Sequence, residues 1–68
     1  MDKFGQRIKE ARAAKGWTQD DLADKAGVNV RGLQNYEQGK ALPNLYTAVL
    51  IADTLGVSLD WLTGRAEE

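Results

Sequence analysis

The sequence predicts an all-α domain built from five short helices, and three observations carry that expectation. Apolar residues recur three and four apart in five separate segments, which is the spacing of one helix face. A side chain suited to N-capping stands before four of them: Thr18, Asn29, Asn44 and Ser58. A glycine follows each segment, at Gly16, Gly27, Gly39, Gly56 and Gly64, and glycine is the residue that most readily closes a helix C-terminus. No stretch alternates apolar and polar residues as a half-buried strand would.

Helix 1 is expected from about Asp2 to Lys15, with Phe4, Ile8, Ala11 and the stem of Lys15 on one face. Gly5 inside it is unfavourable by about 1 kcal/mol relative to alanine. Trp17 opens the following turn and is placed to plug the core beside helix 1. Thr18 caps helix 2, expected over 18–26, with Asp21 completing a short capping box. Asp20 and Asp21 also favour the positive end of the helix dipole. Leu22, Ala23 and Ala26 form the buried stripe, and the small Ala23 lets the next helix cross closely. Gly27 supplies the left-handed backbone a tight turn requires. Asn29 then caps helix 3, expected over 29–38. Leu33 and Tyr36 point inward, while Val30, Arg31, Gln34 and Asn35 take the other faces. The loop KALPN leads to Asn44, which caps helix 4, with Leu45, Ala48, Ile51, Ala52 and Leu55 as its buried side. Ser58 caps helix 5, SLDWL. Residues 1–64 read as one domain and the polar tail 65–68 as a frayed end.

Size and composition restrict the function. A 68-residue chain buries only about 60% of its unfolded surface, so reinforcement is needed. It contains no cysteine and no histidine, which removes disulfides, thiolate or imidazole metal sites and histidine catalysis. Close helix packing and self-association remain. Nine Lys/Arg against ten Asp/Glu leave a net charge of −1, so attraction to a polyanion must come from how charge is distributed. No apolar run suits a membrane span and no signal-peptide pattern is present. A cytoplasmic chain without cofactor, metal or small-molecule substrate is expected. Asp20, Asp21 and Asp24 resemble a carboxylate cluster but are better read as helix-start charges. With no nucleophile–base pair or phosphate-cradling loop, an enzyme is not expected.

Residues 17–39, WTQDDLADKAGVNVRGLQNYEQG, have the spacing of a helix-turn-helix, whose second helix enters the major groove of DNA. With the other elements in order, the chain resembles the Cro and phage-repressor (Xre-type) helix-turn-helix family of DNA-binding proteins. The resemblance covers about residues 4–64 and is carried by IKEARAAKGWTQDDLADKAGV and LQNYEQGKALPNLYTAVLIADTLGVSLDWLTG. It implies a lambda-repressor-like five-helix bundle and a transcriptional regulator, usually a repressor, bound to a palindromic operator in double-stranded DNA as a homodimer. A bacterial or phage origin goes with it. The resemblance further implies base reading by Val30 and Arg31, with Asn35 and neighbouring Gln34 one turn on. It places Gln19, Asn29, Lys40 and Asn44 on the DNA backbone, with Gln19 near the first base. It pairs Arg12 with Glu37 as a structural ion pair. Gly32, Val30, Tyr46 and Leu50 depart from the usual pattern.

Side-chain chemistry supports some of these roles. A guanidinium such as Arg31 can donate two parallel hydrogen bonds to guanine O6 and N7, and an amide such as Asn35 can pair with adenine N6 and N7. Val30 either meets a thymine methyl or sits at the core edge; the cap register favours the thymine contact. Gln19 and the helix 2 N-terminus offer donors to a phosphate, provided Asp20 and Asp21 turn away. Lys3, Arg7, Lys9 and Lys15 read as solubilising. Arg12 and Glu37, if exposed, would contribute only about 0–1 kcal/mol. Val57, Leu59, Trp61 and Leu62, with Tyr46 and Leu50 of helix 4, are expected to form the homodimer interface. The competing function is a protein-interaction module, such as an antitoxin or adaptor, with little DNA affinity of its own. The face holding Gln19, Asn29, Arg31, Asn35 and Lys40 discriminates: converging donors favour DNA, dominant carboxylates favour the module.

Overall fold

A computed structural model describes residues 3–66 as α1 Phe4–Ala14, α2 Gln19–Ala26, α3 Val30–Gln38, α4 Leu45–Leu55 and α5 Leu59–Leu62. Each helix sends one side chain to the centre: Ile8, Leu22, Leu33, Ile51 and Leu62 are fully buried. A fully buried aliphatic side chain is stabilising by about 1.5–3 kcal/mol, so these residues set how the helices lie on one another. Phe4, Ala23, Ala26, Ala52 and Leu55 complete the core.

The helix ends form as their side chains dictate. Thr18, Asn29, Asn44 and Ser58 each accept a hydrogen bond from a backbone N–H of the following first turn. Gly27 takes a φ of 72° between α2 and α3, where a β-carbon would be strained. Its conformation sets the angle at which α3 leaves α2.

Several expectations need correction. Lys15 is exposed, because α1 ends at Ala14; Asp2, the expected start, lies outside the described residues. Leu45 continues the apolar stripe of α4 but is 73% exposed. It occupies the first turn of α4, at the open end of the bundle, where it borders a groove with Leu42, Pro43 and Leu59. Part of the expected frayed tail is held: the N–H groups of Arg65 and Ala66 donate to Asp60 O at 2.8 and 3.1 Å. Glu67 and Glu68 lie outside the described residues. Arg7 is buried rather than solubilising. Its guanidinium donates to Trp61 O and, at 2.9 Å, to Ala66 O, and it lies 4.7 Å from the Trp61 ring centre. It therefore ties α1 to the end of α5.

Gly5 also has a role beyond its helix propensity. It is buried where α1 crosses the last turn of α3. A β-carbon there would collide with the carbonyl oxygen of Tyr36 and lie 2.7 Å from that of Glu37.

Candidate nucleic-acid interface

One stripe of α3 runs inward through Leu33 and Glu37, both buried. Val30 lies three residues before Leu33, on the same stripe, and is half-buried against the core. The structure thus packs Val30 at the core edge, with part of it still accessible. The outer side of α3 carries exposed Arg31 and half-exposed Gln34 and Asn35. Arg31 and Asn35 are four residues apart, so they stack on one face about 6 Å apart along the axis.

Both ends of α3 are fixed. At its start, Asn29 Oδ1 accepts from the N–H groups of Arg31 and Gly32 at 2.8 and 3.1 Å. Asn44 Oδ1 likewise accepts from Thr47 N–H at 2.8 Å. These caps occupy the side-chain carbonyls and leave the amide N–H groups of two exposed asparagines as donors. At the far end, the N–H of exposed Lys40 donates to Asn35 O at 2.9 Å, which holds Lys40 beside the outer face.

The last turn of α3 is anchored by an ionic network. Arg12 Nε and Nη2 donate to Glu37 Oε2 and Oε1 at 2.8 and 3.0 Å, and Arg12 Nη1 donates to Trp17 O at 2.9 Å. The Glu37 side chain is 1% exposed and that of Arg12 16%. The pair is therefore a buried, two-pronged bridge, not the exposed one weighed from sequence. Gln19 joins it, with Nε2 donating to Glu37 Oε1 at 3.0 Å. The side chain expected on the DNA backbone is thus bound inward by its nitrogen.

At the start of α2, Asp21 is engaged in a capping box with Thr18. Its Oδ2 accepts from Thr18 N–H at 2.9 Å, while its own N–H donates to Thr18 Oγ1 at 3.0 Å. These bonds, the backbone one foremost, hold the Asp21 carboxyl below the usual range. A carboxyl lowered on folding adds stability above its unfolded pKa and loses it as pH falls through the folded value. The cap therefore weakens only in acid. Asp20 remains exposed. With Arg7 and Arg12 engaged internally, Arg31 on α3 and Lys40 just beyond its end are exposed cations.

The expected dimer surface changes more. Leu62 is fully buried and is withdrawn from any interface. Val57, Leu59 and Trp61 are half-buried against the core, because α5 is the element that closes it. Leu50 is half-buried, while Tyr46 is 72% exposed. Leu42 and Leu45, which the sequence reading did not select, are exposed beside Tyr46 in sequence. Leu42 could have been noticed as an unpaired leucine in a polar loop next to Pro43.

Gly32 faces Tyr36 one turn on. A β-carbon there would lie 3.3 Å from the Tyr36 hydroxyl, a side-chain end that can shift. Gly32→Ala is expected to stabilise the domain by up to about 1 kcal/mol, read as a higher urea midpoint. A lower midpoint would mean that the Tyr36 ring is fixed in place.

The sequence model of the helix-turn-helix family matches residues 8–62, and the chain belongs to that family, in its Xre-type branch. The SPbeta prophage-derived HTH-type transcriptional regulator YonR of Bacillus subtilis is 44% identical over 59 residues, covering 87% of this chain and 55% of YonR. The cryptic phage CTXphi transcriptional repressor RstR of Vibrio cholerae is 38% identical over 63 residues, covering 93% of this chain and 56% of RstR. The chain thus spans little more than half the length of these relatives. Among solved structures, the N-terminal DNA-binding domain of SinR from Bacillus subtilis superposes with a TM-score of 0.91 at 32% identity, over 100% of both chains. The restriction-modification controller protein C.AhdI from Aeromonas hydrophila superposes with a TM-score of 0.82 at 33% identity, over 88% of this chain and 91% of that one.

Proposed function

We propose that this chain is a sequence-specific, double-stranded-DNA-binding transcriptional regulator that represses by occupying a palindromic operator as a homodimer. The observation that carries the reading is α3 itself. It is capped at one end by Asn29, pinned at the other by Glu37, and offers Arg31, Gln34 and Asn35 outward on its free side. A helix held this rigidly can keep a guanidinium and two amides in register with base edges. Asn29, Lys40 and Asn44 supply phosphate donors around it. The repressor and regulator names of the relatives, and the DNA-binding domain of SinR, support the same reading.

Self-association rests on Leu42, Leu45 and Tyr46, the large apolar side chains left exposed among the described residues. The adjoining groove carries Asp60 and Arg65, opposite charges that a two-fold axis can pair with each other across a second copy. Two α3 helices would then meet successive major grooves about 34 Å apart.

The test begins with selection of bound sites from random duplexes, followed by affinity measurements at several salt concentrations. A palindrome is expected. With Lys40 on a phosphate and Arg31 on a base, log affinity should fall with log salt at a slope of about −1 per protomer, and a slope of about −2 would put Arg31 on a phosphate as well. Arg31→Ala should relax preference at one base position and cost about 1–3 kcal/mol on the selected site, with a smaller loss on random DNA. Equal losses on both would make Arg31 a phosphate contact.

A further inference from the structure

We infer that the cleft between α1 and the turn joining α4 to α5 is a docking site for an acidic amphipathic helix of a partner protein, open while α3 is on DNA. The floor of the cleft is apolar: Ala11 and Ala14 of α1 line it together with Leu55, Val57 and Trp61. Val57 and Trp61, which the sequence marked as a contact surface, are half-buried, and the self-association proposed above leaves them unused. Ala11 and Ala14 are three residues apart on one helix face, and their small side chains give the cleft its depth. The opposite wall is preformed. The Arg7 guanidinium lies 4.7 Å from the centre of the Trp61 ring and donates to the carbonyls of Trp61 and Ala66. The indole is therefore held in place before any partner arrives, which lowers the ordering cost of binding.

The cleft lies apart from both surfaces already assigned. Among the described residues, none from α2, α3 or the loop 39–44 lines it, so DNA on α3 leaves it open. Leu59 borders the groove proposed for self-association, whereas Trp61 lines the cleft. Two residues along a helix are about 200° apart around its axis, so α5 separates the two surfaces. The charges beside the cleft select its occupant. Exposed Glu10 and Lys15 border it on the α1 side. Glu10 Oε2 already accepts from Gln6 Nε2 at 3.1 Å. The Lys15 ammonium lies 5.2 Å from the centre of the Trp17 ring, and the Lys25 ammonium lies 5.2 Å from the same centre. Two cations are thus gathered on one indole, and neither is ion-paired among the described residues. A carboxylate near both relieves their mutual repulsion. A helix with large apolar side chains along one stripe fills the floor, and Asp or Glu at one end of that stripe meets Lys15 and Lys25. A basic helix would set like charges together.

The experiment selects binders to the free domain from a displayed library of helical peptides, random at apolar and polar positions alike. Recovered peptides should carry large apolar residues three and four apart, with carboxylates at one end. A synthetic copy of the strongest should shift the signals of Ala11, Ala14, Val57 and Trp61, and should bind the free domain and its complex with the selected duplex equally well. Ala14→Glu, in the exposed last turn of α1, should weaken the peptide by at least about 10-fold through bulk and like charge, with DNA affinity unchanged. Lys15→Gln and Lys25→Gln together should weaken it about 2- to 10-fold, the range of exposed ion pairs. If Ala14→Glu does not fold, the lysine variants decide. Peptides without an acidic excess, peptides that DNA displaces, or a library that yields none overturn the inference, while the DNA reading stands. A loss of DNA affinity in the lysine variants, with a shallower salt slope, makes the two lysines phosphate contacts and also overturns it. A domain that takes acidic helices into the cleft but selects no duplex overturns the DNA reading and not the docking site.

Discussion

Arg12→Ala is expected to cost the domain about 3–5 kcal/mol, the penalty for leaving one member of a buried ion pair without its partner. Total stability for a chain of this size is about 3–10 kcal/mol, so the loss takes roughly a third of it or more and should lower the urea midpoint sharply. The two partners are not equivalent. Removing Arg12 strands a carboxylate that is 1% exposed, with only Gln19 left to satisfy it. Removing Glu37 strands a guanidinium that is 16% exposed and still donates to Trp17 O. Glu37→Ala should therefore be the milder loss in urea denaturation. The double replacement Arg12→Met with Glu37→Leu should regain much of the stability, because well-packed apolar side chains often match a buried pair. The same double variant deprives Gln19 of its partner, which separates the bridge's contribution to folding from its contribution to recognition.

Gly5→Ala should also be destabilising, against the direction that helix propensity alone gives. Alanine gains about 0.5–1 kcal/mol inside a helix. Here its methyl would meet two backbone carbonyls of α3, those of Tyr36 and Glu37, and backbone cannot swing aside as a side-chain end can. Forcing an extra carbon into a packed contact costs about 1–3 kcal/mol. The net expectation is a loss of about 1–2 kcal/mol in a denaturation midpoint, opposite in sign to Gly32→Ala. The displacement also falls on the turn of α3 that holds Glu37, so DNA affinity should drop further than stability. A Gly5→Ala domain as stable as the wild type would show that α1 can move off α3 freely.

Much of this fold is written in local signals. Thr18, Asn29, Asn44 and Ser58 mark helix starts because their side chains can reach the first-turn N–H groups and little else nearby can. The left-handed glycines mark the stops. What the sequence hid depends on partners distant along the chain. Gly5 looks like a weak point in a helix until the carbonyls of Tyr36 and Glu37 are seen against it. Arg7 sits on the same face as Phe4 and Ile8, and its charge suggested solvent; only the carbonyls of Trp61 and Ala66 explain its burial. Val30 shares a stripe with Leu33, a signal that was available but was outweighed by its place beside the helix cap.

The site was legible in part for the same reason. The outward placement of Arg31, Gln34 and Asn35 follows from helix periodicity; the burial of Glu37, four residues after Leu33, was open to the same argument but the pair was weighed as exposed. The inward tie of Gln19 does not, because it needs α2 and α3 to cross where they do. The surface expected for self-association was misjudged because apolar residues in a terminal helix serve equally to close a core or to cover a partner. Leu62 closes the core, whereas Leu42 and Leu45 are left at the surface.

The central claim is that α3 and the residues at its two ends form a rigid surface that recognises base pairs. Nuclear magnetic resonance titration of the domain with its selected duplex tests this most directly. Amide and side-chain shifts should concentrate at residues 18–20, 29, 31, 34, 35 and 40–44, with those of buried Leu33 and Ile51 nearly unchanged. Shifts confined to Leu45, Tyr46 and α5, or none with any duplex, would contradict it.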